Sequence, residues 1–192
     1  PLPRSKLMNN RLQVALAQQS DATAIWNILQ AEIEVMRHAG RNQWQNGYPN
    51  PQTVASDIEK GQGRVLWLGT EVVGYCALIT SGDPCYDHIW DGDWLTSNLA
   101  ADCRYAVVHR IGIHPQHTGK GFAAAFLQML MAEAAGMGFE SMRIDTNFDN
   151  AQMLHILPKL GFTRCGKVMV KDGERLAFEK LLNTPSQKEN NT

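Results

Sequence analysis

No apolar run in this chain approaches the ~18 residues of a membrane span. Its opening, PLPRSKL, lacks an apolar h-region and does not read as a secretory signal. Neither sign of charge is in excess: 18 Lys and Arg stand against 19 Asp and Glu, a formal net charge of −1. That balance argues against broad attraction to nucleic acid or to an anionic membrane, so neither is expected as a partner. Cysteine is scarce, and Cys76, Cys85, Cys103 and Cys165 show no CxxC spacing. Without a secretion signal they read as reduced thiols, which makes the cytoplasm the expected setting. Internal repeats are absent, and the one low-complexity stretch is the polar tail from Thr184, expected to fray.

What is present is ordinary globular composition, 44% apolar and 19% charged over 192 residues. A chain of this length buries well over half of its unfolded surface and is expected to form a single domain, residues 8–183. Residues 1–7 read as a cloning remnant before a native start at Met8, or as a native N-terminus that has lost its Met before Pro1.

Arg11 to Ala17 alternates in part and reads as a strand. Ser20 or Asp21 can cap a helix to about His38, with Ile25, Ile28, Leu29, Ile33 and Met36 on its apolar stripe. Gly40 to Pro51 is a loop, and Gln52 to Lys60 a short helix. Arg64–Leu68 and Val72–Thr80 flank a hairpin turn at Gly69, Thr70 and Glu71. Ser81 to Asp102 is irregular, and a loop of that length is usually functional or mobile. A long strand from Cys103 to His114 precedes a helix from Gly121 to Ala135, a strand from Phe139 to Thr146 and a helix from Asp149 to Leu157. Phe162–Val170 and Arg175–Leu181 close the chain around Lys171-Asp172-Gly173, whose Asp-Gly is a strong turn signal. The expected class is mixed α/β: a mostly antiparallel sheet of about seven strands with helices on both faces.

The stretch that carries chemistry is HRIGIHPQHTGKGFAA, His109 to Ala124. A strand ends at Ile113, Pro115 marks its exit, and Thr118-Gly119-Lys120-Gly121 opens a helix. Main-chain N–H groups of such a turn, with the first-turn amides, form an anion site, and glycine lets a phosphate reach them. A P-loop would need Gly where His114 stands and Ser or Thr where Gly121 stands. A dinucleotide GxGxxG fails because Gly119 and Gly121 are followed by Ala124. Taken alone, the stretch also reads as a Gly-containing turn before a core helix.

A second stretch, IDTNFDNAQMLHILPKLGF from Ile144 to Phe162, stands at a telling separation from the first. Together they resemble the GNAT superfamily of acyl-CoA-dependent N-acetyltransferases. Ile113-His114-Pro115 matches that family's strand end, Thr118 to Ala123 its phosphate loop, and Asn150 with Lys159-Leu160-Gly161-Phe162 its second motif. The likeness covers roughly Leu12 to Leu182. Two registers fit the loop: Gln116-x-x-Gly119-x-Gly121 and Thr118-x-x-Gly121-x-Ala123, the second matching the spacing from the strand end.

The resemblance implies transfer of an acetyl group from acetyl-CoA to a small-molecule or peptide amine, by direct attack in a ternary complex. It implies no metal and admits a homodimer. Ile111, Gly112 and Ile113 would bond the pantetheine arm, Gly119, Lys120, Gly121, Phe122, Ala123 and Ala124 would hold the pyrophosphate, and Asn150 would fix the thiol end. The Tyr that in many relatives protonates the leaving thiolate falls at Leu157, a departure that leaves room for a rival reading as a non-catalytic acyl-CoA-binding module.

A thiol of pKa ~8.5 costs only about 2 kcal/mol to release as thiolate at pH 7, so water can supply that proton. A lysine-like amine of pKa ~10.4 spends about 4.6 kcal/mol becoming neutral, so a base is the more valuable group. Asp145 matches an acidic base position in some relatives; equally it can hold a neighbouring turn. His109 and Tyr105 share one face of the long strand and stand as further catalytic candidates or as packed strand residues. Trp44, Tyr48, Trp90 and Trp94 sit in the two irregular segments and can line an acceptor site or pack locally. Asp83, Asp87, Asp91 and Asp93 make the second segment acidic, which would draw a cationic amine. His114, His117 and His155 lack the further ligands of a zinc site.

Overall fold

The structure, a computed structural model, describes residues 11–183; the expected remnant 1–7, Met8 and the tail from Thr184 lie outside the described residues. The strands are β1 (Leu12–Leu16), β2 (Gly63–Leu68), β3 (Glu71–Ile79), β4 (Ile89–Trp90), β5 (Tyr105–Ile113), β6 (Ser141–Thr146), β7 (Thr163–Val170) and β8 (Gly173–Leu181). The helices are α1 (Ala22–His38), α2 (Pro51–Glu59), α3 (Phe122–Gly136) and α4 (Ala151–Lys159). Hydrogen bonds order the strands β1-β2-β3-β5-β6-β8-β7-β4 in a mixed, mostly antiparallel sheet. The described residues pack as two compact units, one of residues 11–77 with Arg110–Phe126, the other Leu78–His109 with residues 127–183.

In the first unit β1, β2 and β3 form an antiparallel meander whose Leu68↔Glu71 pairing leaves Gly69 and Thr70 as a two-residue turn. Helix α1 turns Ile25, Ile28, Leu29 and Met36 inward, as the stripe on its sequence requires. Ile25, Leu29 and Met36 meet Trp44, Val54, Val65 and Tyr75 in one core. Asp21 does not cap α1; its side chain turns back to the Gln18 amide. Asn50 caps α2 by accepting from the Thr53 N–H at 3.0 Å, and Pro51 takes the first helical position, where no donor is needed.

In the second unit β6 lies parallel to β5, paired only through Tyr105–Val107 with Ser141–Arg143. It is antiparallel to β8, and β7 and β8 form the closing hairpin with Lys171 and Asp172 at the tip. Among the described residues the sheet has eight strands, in keeping with the expectation of about seven. The eighth, Ile89–Trp90, pairs with Val168 and Lys167 of β7 inside the stretch read as irregular. Gly82, Pro84 and Gly92 interrupt any alternation there, and the pairing is decided by a close approach between distant segments. A side chain at Gly92 would run into the carbonyl of Cys165.

A fully buried ion pair organises this unit. Glu179 of β8 accepts from Arg143 Nε at 3.0 Å and from the hydroxyls of Ser141 and Thr96, at 2.6 and 2.8 Å. It also accepts from the N–H groups of Leu95 and Thr96. Arg143 donates through Nη2 to the Thr96 carbonyl, while Nη1 has no hydrogen-bond partner. The guanidinium instead lies over the rings of Tyr105 and Trp94, at 4.0 and 4.3 Å from their centroids, where cation–π attraction replaces hydration. Arg143→Met leaves Glu179 charged, buried and unpaired, and is expected to lower the unfolding free energy by about 3–5 kcal/mol in denaturant titrations. Adding Glu179→Leu should recover much of that loss, because a matched apolar pair carries no desolvation cost.

Candidate active site

Two clusters hold the residues that matter, one in each unit. In the second unit β5 presents Tyr105 and His109, two pleats apart on one face, and both reach Asp83. The Tyr105 hydroxyl donates to the Asp83 carbonyl and accepts from the Asp83 N–H. His109 Nε2 stands 2.8 Å from Asp83 Oδ2, and Nδ1 stands 3.8 Å from Asp145 Oδ2. Asp145, near the end of β6, accepts from the buried Tyr86 hydroxyl at 2.6 Å. A carboxylate does not donate, so Asp83 holds a ring proton of His109 on Nε2, and Nδ1 faces Asp145. Burial raises the Asp83 carboxyl, but the His109 hydrogen bond and charge, with the Cys85 N–H, outweigh it and hold it below the usual range. Burial and the Asp145 charge push the Tyr86 phenol well above its ordinary value, so it remains a donor.

Asp83 and Tyr86 are the members that sequence reasoning missed as site residues. Asp83 could be seen only as one of four acidic loop residues. The other three are engaged elsewhere: Asp87 accepts from Ala100 N–H, Asp91 pairs with Lys167, and Asp93 accepts from Trp94 N–H. A Pro-Cys-Tyr-Asp turn, residues 84–87, sets Tyr86 inward; its ring packs against Trp94 at 5.2 Å and His109 at 6.0 Å. Trp94 donates its indole N–H to the Tyr86 carbonyl. Trp90 lies in β4 opposite Lys167. Asn150 caps α4, its Oδ1 accepting from the Met153 N–H. Leu157 is fully buried in α4.

In the first unit β5 ends at Ile113, the turn Pro115–His117 follows, and Gly119 and Gly121 take φ of 80° and 76°. Ala125 N–H bonds the Gly121 carbonyl, so Gly121 is the N-cap of α3 and the amides of Phe122, Ala123 and Ala124 have no partner within the helix. Nothing lies within 4 Å of where a Cβ would stand at Gly119 or Gly121. Open space above free amides at a positive helix end fits a pyrophosphate. Ile111, Gly112 and Ile113 form the last turn of pleat before this loop. Glu32 of α1 packs over Gly112, its Cγ 3.4 Å from the place of the missing Cβ, and burial raises its carboxyl to about 7 against the lowering charge of Arg41.

The same unit carries a feature no sequence signal announced. Arg110, inside β5, has φ of 54°, a left-handed conformation that non-glycine residues enter at a cost of about 1–2 kcal/mol. Asp57 of α2 holds it bidentately, Nη2–Oδ1 at 2.6 Å and Nε–Oδ2 at 3.0 Å, and also accepts from the Tyr75 hydroxyl. The Tyr48 hydroxyl accepts from Arg110 Nη1 at 2.6 Å. Trp44 is buried in the core. Among the described residues there is no group of three or more side chains placed to hold a metal, and no helix long and apolar enough to cross a membrane.

The fold is shared with known proteins. The acetyltransferase (GNAT) family profile matches residues 22–162, and the chain belongs to that family. A GNAT-family acetyltransferase from Streptococcus agalactiae 2603, solved by crystallography, is 35% identical with a TM-score of 0.80, covering 90% of this chain and 96% of that one. The L-amino acid N-acyltransferase MnaT of Escherichia coli K12 is 27% identical over 153 residues, 79% of each chain. The structure of yncA from Salmonella typhimurium with its cofactor acetyl-CoA shares the fold at 21% identity and TM-score 0.61, covering 91% of this chain and 95% of that one. The protein is accordingly an acetyl-CoA-dependent N-acyltransferase, with acetyl-CoA as cosubstrate.

Two measurements check the clusters of the first unit. Coenzyme A at a hundredfold excess over its Kd should stabilise the native state by about 2.7 kcal/mol, seen as a raised Tm. Gly121→Val puts a branched side chain into the open space at positive φ, and should fold with that ligand-induced rise lost. The second concerns Glu32. Below 4.5 both folded and unfolded states hold its proton; between there and about 7 only the folded state does, so stability falls as pH rises and the loss is complete above 7. Glu32→Gln removes that slope, and its unfolding free energy should drop less than the wild type's between pH 5 and pH 8, by about 3 kcal/mol at most.

Proposed function

We propose that the acceptor is a small primary amine, with the α-amino group of an amino acid or a close analogue as its first class, attacking directly in a ternary complex. The acceptor class is supported by the likeness to an L-amino acid N-acyltransferase. The mechanism rests on one observation: His109 is fixed at Nε2 by Asp83 while its Nδ1 faces Asp145 across 3.8 Å.

Acetyl-CoA supplies a thioester whose carbonyl carbon takes the amine nitrogen. What the chain must add is a place for the amine's proton, since neutralising a lysine-like amine at pH 7 costs about 4.6 kcal/mol. The Nδ1 lone pair of His109 is that place, reached directly or through one water. Asp145 and Asp83 flank the imidazolium that results, so the charge forms between two carboxylates already oriented by Tyr86 and Cys85. Asp145, the base that the family resemblance suggested, thus acts with His109 as one proton-accepting pair. Tyr105 positions Asp83 through its main chain.

On the cofactor side, Ile111 to Ile113 bond the pantetheine arm as a short added strand, and a main-chain N–H of β5 polarises the thioester carbonyl. That assignment is supported by the end of the β5–β6 pairing at Val107 and Arg143, beyond which β6 offers β5 no further partners. The amides from Gly119 to Ala124 hold the pyrophosphate, and Asn150 offers its Nδ2 donors at the thiol end. Leu157 cannot donate, so water protonates the departing thiolate. Residues 8–183 work as one acetyltransferase domain, in a cytoplasmic setting that suits four cysteines none of which is in a disulfide.

Thiol release from acetyl-CoA in the presence of an amine library, rich in amino acids, tests the acceptor; activity confined to peptides or polyamines would overturn it. His109→Gln is expected to lower kcat by about 10²–10⁴ at neutral pH and to recover toward the amine's own pKa, with coenzyme A affinity kept. Asp145→Asn should cost less, and the double variant should lose no more than His109→Gln alone, because the two act as one unit. A normal acidic limb in His109→Gln, with that limb lost in Asp145→Asn, would instead make the carboxylate the base.

A further inference from the structure

His117 closes the turn between β5 and α3, and the proton chemistry above makes no use of it. Its ring is buried and stacked on Phe122, the first residue of α3, with centroids 5.7 Å apart and planes at 22°. Nε2 lies 3.1 Å from Glu71 Oε1, and Nδ1 lies 3.3 Å from Lys120 Nζ. An ammonium only donates and a carboxylate only accepts, so both neighbours demand the same tautomer: lone pair on Nδ1, proton on Nε2. The ring therefore runs as a relay from the β2–β3 turn to the phosphate loop, fixed at both nitrogens and on one face.

Lys120 needs such a hold. Its side chain is exposed, and a free lysine carries rotamer entropy that an anion would have to overcome on binding. We infer that His117 is a positioning residue: with Glu71 behind it, it pre-sets the Lys120 ammonium at the N-terminus of α3, so that the pyrophosphate of acetyl-CoA meets a fixed charge as well as main-chain donors. The inference rests on the cofactor assignment above, and adds which side chains make the loop selective for the phosphorylated cofactor over its uncharged arm.

Calorimetric titration of the full chain with coenzyme A, and separately with pantetheine, which lacks the pyrophosphate, tests it. Lys120→Met and His117→Phe, which keeps the stacked ring but loses Nδ1, should each weaken coenzyme A binding by about threefold to tenfold at low salt and leave pantetheine unchanged. The double variant should be no weaker than Lys120→Met. His117→Asn, whose Oδ1 stands where Nδ1 stood, should restore most of the affinity. His117→Gln, which lacks an acceptor at that point, serves in place of His117→Phe should the latter not fold. If Lys120→Met weakens coenzyme A binding while His117→Phe or His117→Gln does not, or if the His117 variants weaken both ligands alike, the inference is overturned and the cofactor assignment stands. If the wild type binds pantetheine as tightly as coenzyme A, or binds neither, the assignment and the inference fall together.

Discussion

The buried carboxylate of Glu179 is the point from which the second unit is organised. It lies among donors that belong to β6 and to the loop before β5, so the sheet and the loop cannot move apart without stranding a charge in the interior. Its partner Arg143 extends the hold, lying on the faces of Tyr105 and Trp94. Trp94 in turn ties the Tyr86 main chain, and Tyr105 ties the main chain of Asp83. The acid–base cluster is thus suspended from an ion pair that touches none of its reacting atoms. Such a pair contributes little net stability compared with a matched apolar one, and its worth lies in holding one loop in one place.

In the proposed mechanism that loop delivers a histidine whose two nitrogens have different duties. Asp83 settles the tautomer at Nε2, and the opposite nitrogen is left with a lone pair and a carboxylate across from it. A neutral imidazole there is a better match to an amine's proton than a lone aspartate, whose ordinary pKa of ~3.9 makes it a weak acceptor. On that proposal Asp145 acts through the cation that would form beside it. Tyr86, kept protonated by burial and by the Asp145 charge, orients that carboxylate without competing for the proton.

The first unit carries the proposed anion site, which has no committed arginine. Gly121 caps α3 at positive φ and opens the space above the first-turn amides. Glu71, His117 and Lys120 form a contact chain on its flank. On the strand leading in, Arg110 is spent on structure: Asp57 and Tyr48 hold it, which maintains a left-handed residue within β5 against its intrinsic cost.

Much of this was legible in the residues. The hydrophobic period of Ala22–His38, the two-residue turns at Gly69-Thr70 and Lys171-Asp172, and the Gly-x-Gly before an apolar helix are local signals, and local physics decides them. The spacing of two motifs pointed to the family, and with it to the cosubstrate. What the chain could not announce were contacts between segments far apart in sequence. Ile89–Trp90 becomes a strand only because β7 lies beside it. Asp83 becomes the partner of His109, 26 residues away, and Tyr86 that of Asp145, 59 away. One acidic residue among four on a loop carries no mark of which will face a histidine; that choice was made by the tertiary packing of Glu179 and Arg143, since only a folded interior makes an unpaired polar group costly enough to select one arrangement.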